Sequence, residues 1–90
     1  MKKQLNITII GNVQGVFYRV NAKEFADNNN LSGWIKNEGD GTVKISAEGE
    51  ERDLKKLITW CEKESPGKTL QIEEKWGKNK NAYNKFEIKY

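Results

Sequence analysis

Residues 5–19 read Leu-Asn-Ile-Thr-Ile-Ile-Gly-Asn-Val-Gln-Gly-Val-Phe-Tyr-Arg, and this stretch decides how the fold begins. Its first half alternates apolar with polar side chains, the period-2 pattern of a strand that buries one face. Two glycines then punctuate a loop over residues 11–17. A helix is predicted from about Tyr18 to Asn29, and the apolar residues that give it helical spacing are Ala22, Phe25 and Ala26.

The rest of the chain divides by the same two periodicities. Strands are predicted over residues 33–37 and 43–47, and the hairpin signal Glu38-Gly39-Asp40-Gly41 joins them. A helix that ends before Ser65 is predicted from the spacing of Leu54, Leu57, Ile58 and Cys61. In a fourth strand Leu70, Ile72, Glu74 and Trp76 face one way, and after a polar linker over 77–84 the residues that mark a short final strand are Phe86, Ile88 and Tyr90.

The element order is therefore β-α-β-β-α-β with an extra C-terminal strand. Two helices must then cover one face of a mostly antiparallel sheet, with right-handed crossovers. This predicts an α+β fold, a ferredoxin-like α/β sandwich, in a single domain that spans residues 1–90. We also expect the strand after the first crossover to lie beside the first strand, which would bring Asn37 close to the 11–19 loop.

Composition excludes several function classes. The sequence has no histidine, which excludes Ser–His triads, phosphohistidine intermediates and metal sites built on histidine. Sixteen basic against thirteen acidic residues give a net charge of +3, too mild a balance to indicate nucleic-acid binding. Cys61 is the single cysteine and indicates a reducing compartment, so a cytoplasmic location is expected. The N-terminal apolar run is too short and too polar for a signal peptide or a membrane span.

The glycine loop has the properties of an anion-binding site. A strand-to-helix junction exposes backbone N–H groups beside the positive end of the helix dipole, where phosphate binds readily. Residues 11–19 contain no acidic side chain, and Arg19 in the first helical turn opposes the dipole at a cost of about 0.3–1 kcal/mol unless an anion is bound. The alternative is an ordinary turn, with Arg19 a solvated residue whose stem covers apolar surface.

Two further side chains have competing interpretations. Asn37 begins the predicted hairpin, where asparagine usually serves the turn backbone, and from this preference alone the structural interpretation is favoured. Cys61 is expected in the core, because its helical spacing and the usual burial of free cysteine both favour packing over chemistry. Trp34, Trp60 and Trp76 are likewise interpreted as packing residues.

Two long motifs resemble the signatures of the acylphosphatase family. The first is glycine, any, valine, glutamine, glycine, valine, any, aromatic, arginine, and residues 11–19 satisfy it, with Tyr18 where the family usually carries phenylalanine. The second is matched at family spacing by Gly33, Trp34, Asn37, Gly41, Val43 and Gly49, with Ile35 in place of a usually smaller residue. The resemblance covers essentially all ninety residues, and its fold is the ferredoxin-like sandwich.

The resemblance implies hydrolysis of a small-molecule acyl phosphate to a carboxylate and inorganic phosphate. Arg19 would clamp the phosphoryl oxygens and Asn37 would orient the attacking water, so both are the predicted catalytic residues. Backbone N–H groups would cradle the phosphoryl group, and the predicted substrate-binding residues are Gln14, Gly15, Val16, Phe17 and Tyr18. We expect no cofactor and no metal, since no metal-ligand cluster is visible in the sequence. The expected protein is a monomer that binds neither nucleic acid nor membranes.

Two rival functions can be separated from hydrolysis. The same loop could serve a non-catalytic anion-binding module, and measuring acyl phosphate hydrolysis would distinguish the two. The element order is also that of the RNA-recognition fold, which stacks bases on aromatic residues of its first and third strands. The predicted strands Leu5–Ile10 and Thr42–Glu48 contain no aromatic residue, which argues against RNA binding.

Overall fold

A computed structural model describes residues 1–15 and 17–90. The helices are α1, Tyr18–Asn28, and α2, Glu51–Thr59, which continues as a π-helical turn over Trp60–Glu64. The strands are β1 (Lys2–Asn12), β2 (Ser32–Asn37), β3 (Val43–Glu50), β4 (Lys68–Lys78) and β5 (Phe86–Lys89). The predicted ferredoxin-like α+β order, with its extra C-terminal strand, is confirmed.

The five strands form one sheet in the order β4-β1-β3-β2-β5, in which β2 and β5 are parallel and the other neighbours antiparallel. The expectation that β2 lies beside β1 was wrong, because β3 occupies the place between them. A crossover through α1 leaves room for one intervening strand, and β3 fills it by pairing with both neighbours. Its Ile45 lies opposite Ile7 of β1 on one side and Ile35 of β2 on the other, so all three apolar side chains enter one core.

That core lies between one sheet face and the two helices. The buried apolar residues of β1, β2 and β3 project to this face, as their spacing predicted, and the helices add the apolar positions that their 3.6-residue periodicity marked. On the opposite face of β3, Ser46 and Glu48 are also buried. Cys61 is fully buried in the core, as predicted, and burial raises the pKa of its thiol to about 12. The other buried hydrophobic residues are Leu5, Ile7, Ile9, Val13, Tyr18, Ala22, Ala26, Leu31, Ile35, Val43, Ile45, Ala47, Leu54, Leu57, Trp60 and Phe86.

Two elements differ in detail from the sequence prediction. The last five residues of the second helix adopt π-helical geometry, and within them Trp60 and Cys61 are both buried. In β4, Leu70 falls where the pairing with β1 shifts register between Ile10 and Gly11, which makes it the extra residue of a bulge. Leu70 is 71% exposed as a result, whereas Ile72 is partly buried against the core.

The linker between β4 and β5 must cross from one edge of the sheet to the other. It is fastened by Glu48, a carboxylate that is only 3% exposed on β3. Glu48 accepts hydrogen bonds from the backbone N–H of Lys80 (2.7 Å), the backbone N–H of Ala82 (2.8 Å) and the side-chain amide of Gln4 (3.1 Å). These bonds fix the route by which β5 reaches β2, and with it the position of the residues that follow β5.

Glu48 should make stability depend on pH. Burial alone would raise its pKa, but the backbone N–H groups of Lys80 and Ala82 and the Gln4 amide outweigh burial and hold the pKa below the usual value. A carboxyl whose folded pKa is lowered stabilises the fold above its unfolded pKa, about 4.3, and loses that contribution as the pH falls through the folded pKa. We expect Glu48→Gln to lower the free energy of unfolding at pH 7 by about 1.5–3 kcal/mol.

Urea unfolding at pH 7 and near pH 3 measures this effect. The difference between wild type and Glu48→Gln should shrink at the lower pH, which lies below the pKa of about 4.3 that a glutamate has in the unfolded chain. Glu73→Gln, an exposed carboxylate on β4, is the matched control and should differ little from wild type at either pH. A Glu48→Gln deficit of the same size at both pH values would contradict the assignment to charge.

No helix in the described part of the chain is long and apolar enough to cross a bilayer.

Candidate active site

The predicted site lies where three strands reach their carboxyl ends, at a border of the sheet that we call its carboxyl edge. Strands β1 and β2 both run antiparallel to β3 and therefore parallel to each other, and β5 is parallel to β2. Their last residues, Asn12, Asn37 and Lys89, consequently lie at this carboxyl edge. The chain that leaves β1 enters α1 there. The crevice outside the carboxyl ends of strands is where open α/β sheets usually bind ligands.

The loop between β1 and α1 has unusual backbone geometry. Gly15 has φ +79° and Phe17 has φ +59°, so both lie in the left-handed region. Glycine adopts this region without strain, whereas an aromatic residue does so at a cost of about 1–2 kcal/mol. Val16, which is also predicted to bind substrate, lies outside the described residues. No side chain caps α1 at Phe17, and its first turn carries no acidic residue, as predicted.

Gln14 ties this loop to the β2–β3 hairpin. Its amide nitrogen donates to the backbone carbonyls of Glu38 (2.8 Å) and Thr42 (2.9 Å), which flank the hairpin turn. The turn itself is closed by Asp40, whose carboxylate accepts from the Thr42 backbone N–H (3.0 Å) and hydroxyl (2.7 Å). The loop therefore lies against the hairpin even though β3 separates β1 from β2. The topological reason given for bringing Asn37 to the loop was wrong, and a side chain supplies the connection.

We expect that removing the two hydrogen bonds of Gln14 reduces catalysis more than it reduces stability. Gln14→Ala removes two hydrogen bonds, so the free energy of unfolding should fall by about 1–2 kcal/mol. Catalysis should fall by about 10- to 100-fold in kcat/KM, because the loop amides lose their fixed position. Gln14→Glu should be less active than Gln14→Ala, since a carboxylate would face two carbonyls and the predicted phosphate position. Gln71→Ala on β4 is the control, and equal activity of all three variants would contradict the role.

Arg19 is half-buried at the start of α1, and β5 determines where its guanidinium lies. Its Nη1 donates to the backbone carbonyl of Lys89 (3.3 Å), and its Cζ lies 4.8 Å from the centroid of the Tyr90 ring. Lys89 pairs with Lys36, the neighbour of Asn37, so the guanidinium and Asn37 belong to the same edge. Arginine has five N–H donors in a planar fork, and the bond to Lys89 uses one of them. The others leave two-pronged binding of a phosphoryl group available.

Asn37 ends β2 opposite Val43, whose side chain is buried in the core. Directly opposed residues share a sheet face, so Asn37 projects to the helix side of the sheet. Its Oδ1 is buried, yet among the described residues it has no hydrogen-bond partner. A buried acceptor without a partner costs about 1–3 kcal/mol. This geometry does not favour the interpretation that Asn37 serves the turn backbone. Asp40 accepts the hydrogen bonds that close the turn, whereas the Asn37 oxygen accepts none from the described residues.

Tyr18 anchors the helix start from beneath. Its ring is 1% exposed and packs edge-to-face against Trp60 with centroids 5.3 Å apart. Its hydroxyl is buried, and within residues 1–15 and 17–90 no atom forms a hydrogen bond with it. Burial raises the pKa of this hydroxyl. The side chain of Tyr18 therefore supports the loop from the core, and only its backbone faces the predicted phosphate position.

Sequence reasoning missed three parts of this arrangement. The clamp through the Gln14 side chain, the Lys89 carbonyl on Arg19 and the Tyr90 ring all depend on contacts between residues more than twenty positions apart. Tyr90 was predicted inside the last strand, but β5 ends at Lys89 and Tyr90 follows it, almost fully exposed. No group of three or more Cys, Asp or Glu side chains in the described ranges is arranged to hold a metal ion.

Comparison with known proteins agrees with the motifs. The family model described as Acylphosphatase matches residues 5–88. The acylphosphatase of Bacillus licheniformis is 39% identical over 88 residues, which cover 97% of this chain and 98% of that protein. The acylphosphatase of Geotalea uraniireducens is 37% identical over 92 residues and covers both chains completely. The crystal structure of acylphosphatase from Bacillus subtilis superposes with a TM-score of 0.92 at 35% identity, over 100% of both chains. Residues 5–88 thus carry the family's sequence pattern on the family's fold, and the chain belongs to the acylphosphatase family.

Proposed function

We propose that this protein hydrolyses acyl phosphates to a carboxylate and inorganic phosphate, with Arg19 and Asn37 as its catalytic residues. The family assignment supports the activity. The observation that carries the assignment of residues is the buried Oδ1 of Asn37, an acceptor that has no hydrogen-bond partner in residues 1–15 and 17–90, at the edge where the loop and Arg19 meet. A bound water that donates a hydrogen bond to this oxygen would satisfy it and would lie beside the phosphoryl group.

In the proposed site the phosphoryl group sits at the start of α1. Backbone N–H groups of residues 14–19 bind its oxygens, with the positive end of the helix dipole behind them. Arg19 binds two of the oxygens with its free N–H groups, a geometry that lysine, as a point charge, does not reproduce. These donors are fixed before the substrate arrives, by Gln14 for the loop and by Lys89 for the guanidinium, so little reorganisation accompanies the reaction.

The chemical step needs positioning more than proton transfer. A water held by Asn37 attacks phosphorus, and the bond from phosphorus to the acyl oxygen breaks. The leaving group is a carboxylate with a pKa near 4, which departs without a proton, so no general acid is required. We propose that the proton of the water passes to a phosphate oxygen of the substrate. In support, residues 11–19 carry no acidic side chain, and the Glu38 carboxylate beside Asn37 binds Lys36 (3.3 Å) and Lys44 (3.8 Å).

We further propose a metal-independent monomer that acts in the cytoplasm on small molecules, without cofactor, nucleic acid or membrane. Cys61 is a buried free thiol, as expected in a reducing compartment. The central strands β1 and β3 carry no aromatic residue for stacking bases. Size-exclusion chromatography tests the oligomeric state, and a shift to twice the mass would contradict the monomer.

The deciding experiment is release of phosphate from benzoyl phosphate by the purified protein, with EDTA present and Arg19→Ala assayed alongside. Hydrolysis that persists in EDTA and is lost in the variant supports the proposal. A folded protein that binds phosphate without hydrolysing benzoyl phosphate would be a binding module. Loss of activity in EDTA would contradict metal independence. A pH–rate profile with a steep limb assignable to an enzyme carboxylate would contradict proton transfer to the substrate.

A further inference from the structure

Every acyl phosphate presents the same phosphoryl group, so selection among substrates must come from side chains that meet the acyl group. The acyl carbon is joined to the bound phosphorus through a single oxygen. Side chains within a few ångströms of the Arg19 guanidinium are therefore the ones that the acyl group can contact. Two exposed aromatic residues belong to the elements that meet here: Phe17, two residues before Arg19 in the loop, and Tyr90, whose ring centroid lies 4.8 Å from the Arg19 Cζ.

We propose that Phe17 and Tyr90 form an aromatic rim that binds the acyl group and makes flat, apolar acyl phosphates the preferred substrates. The proposal rests on the acyl phosphate hydrolysis proposed above and adds the substrate class. It assigns a role to the Phe17 side chain, which the phosphate site uses only through its backbone.

Phe17 combines two unfavourable features that a ligand contact would offset. Its side chain is 79% exposed, and its backbone adopts a left-handed conformation that glycine or asparagine would accept more readily. Strained backbone of this kind is found at ligand clamps and active sites. The first family signature also accepts any residue at this position, so the phosphate site itself does not require the ring.

Tyr90 lies beside the Arg19 guanidinium, which binds the phosphoryl group in the proposed site. One face of its ring lies on the Arg19 guanidinium at 4.8 Å, while the side chain as a whole is 97% exposed. The contact with Arg19 therefore fixes where the ring lies but leaves most of its surface open to a ligand. A planar acyl group attached to the phosphoryl group that Arg19 binds can stack on this surface or meet its edge.

The nearby lysines do not favour an anionic acyl group instead. Lys36 is on the sheet face opposite to Asn37, since successive strand residues alternate. Its Nζ binds Glu38 at 3.3 Å, and the Nζ atoms of Lys36 and Lys89 lie 5.7 and 5.1 Å from the Trp34 ring. These charges lie on the solvent-facing side of the sheet, whereas the side chain that stacks on Arg19 is the aromatic ring of Tyr90.

The test compares kcat/KM for benzoyl phosphate with kcat/KM for acetyl phosphate in each variant. Phe17→Asn removes the ring with a residue that tolerates the left-handed backbone, and Tyr90→Ala removes the second ring. We expect the benzoyl-to-acetyl ratio to fall by about three- to tenfold in each, the size of one aromatic contact. Any change in phosphoryl binding affects both substrates and cancels in the ratio.

Two control variants complete the design. Tyr90→Phe keeps the ring and should keep the ratio, as should Trp76→Ala, which removes an exposed aromatic near the opposite end of the sheet. A ratio within twofold of wild type in both Phe17→Asn and Tyr90→Ala overturns the rim while leaving the hydrolase assignment intact. A fall in one of them alone overturns the two-ring rim and assigns the acyl contact to that ring. If the folded wild type hydrolyses neither substrate, the proposed function fails, and the rim fails with it.

Discussion

Arg19→Ala is expected to lower kcat/KM for benzoyl phosphate by at least about 100-fold, by analogy with the loss of an oxyanion donor. The affinity for inorganic phosphate, measured as its competitive inhibition constant, should weaken in parallel, because in the proposed site the same N–H groups bind both. Arg19→Lys should lie between wild type and Arg19→Ala, since it keeps the charge without the two-pronged geometry.

Stability separates this effect from unfolding. Arg19→Ala loses the bond to the Lys89 carbonyl and the stacking on Tyr90 but also relieves a cation at the positive end of α1, a gain of about 0.3–1 kcal/mol. These effects have opposite signs, so the free energy of unfolding should change little. Lys23→Ala, a cation on the same helix that pairs with Asp27, is the control and should keep full activity. Near-wild-type hydrolysis by folded Arg19→Ala would overturn the assignment of this residue.

The fold was predictable where local chemistry and tertiary contacts agree. The apolar alternation in residues 43–47 and the Asp40-Gly41 turn specify a hairpin within a few residues, and the structure places both as expected. The π-helical turn at Trp60 was not predictable, because its spacing differs from a regular helix only at its last residues. The place of β2 in the sheet was predicted wrongly, since strand order depends on which strand fills the gap left by the crossover.

The candidate site was predictable as residue types but not as a supporting structure. Glycines, an acid-free loop and Arg19 in a first helical turn are visible in the sequence because each departs from a local preference. The supports are ordinary residues whose roles arise from distant contacts: Gln14 reaches a turn that begins twenty-four residues later, and Glu48 fixes the linker that delivers Lys89 to Arg19. The spacing of apolar residues along one strand or helix does not depend on such distant contacts and therefore does not predict them.

Asn37→Ala should lower turnover without lowering stability. If Asn37 orients the attacking water, its loss should lower kcat by about 100-fold while KM stays within about threefold, because the contact is to the water rather than to the phosphoryl group. The same change removes a buried acceptor that has no partner among the described residues. The free energy of unfolding should therefore be unchanged or rise by up to about 1 kcal/mol, as happens when a site strained for function is relaxed.

Initial-rate kinetics and urea unfolding on the same preparations measure the two effects, with Asn6→Ala on the exposed side of β1 as the matched control. Asn37→Asp adds a further comparison, since its carboxylate would keep an acceptor for the water yet repel the phosphate dianion. We expect Asn37→Asp to raise KM and Asn37→Ala to leave it almost unchanged, a split that a purely structural asparagine would not produce. A loss of stability in Asn37→Ala with kcat unchanged would return Asn37 to the role of a turn residue.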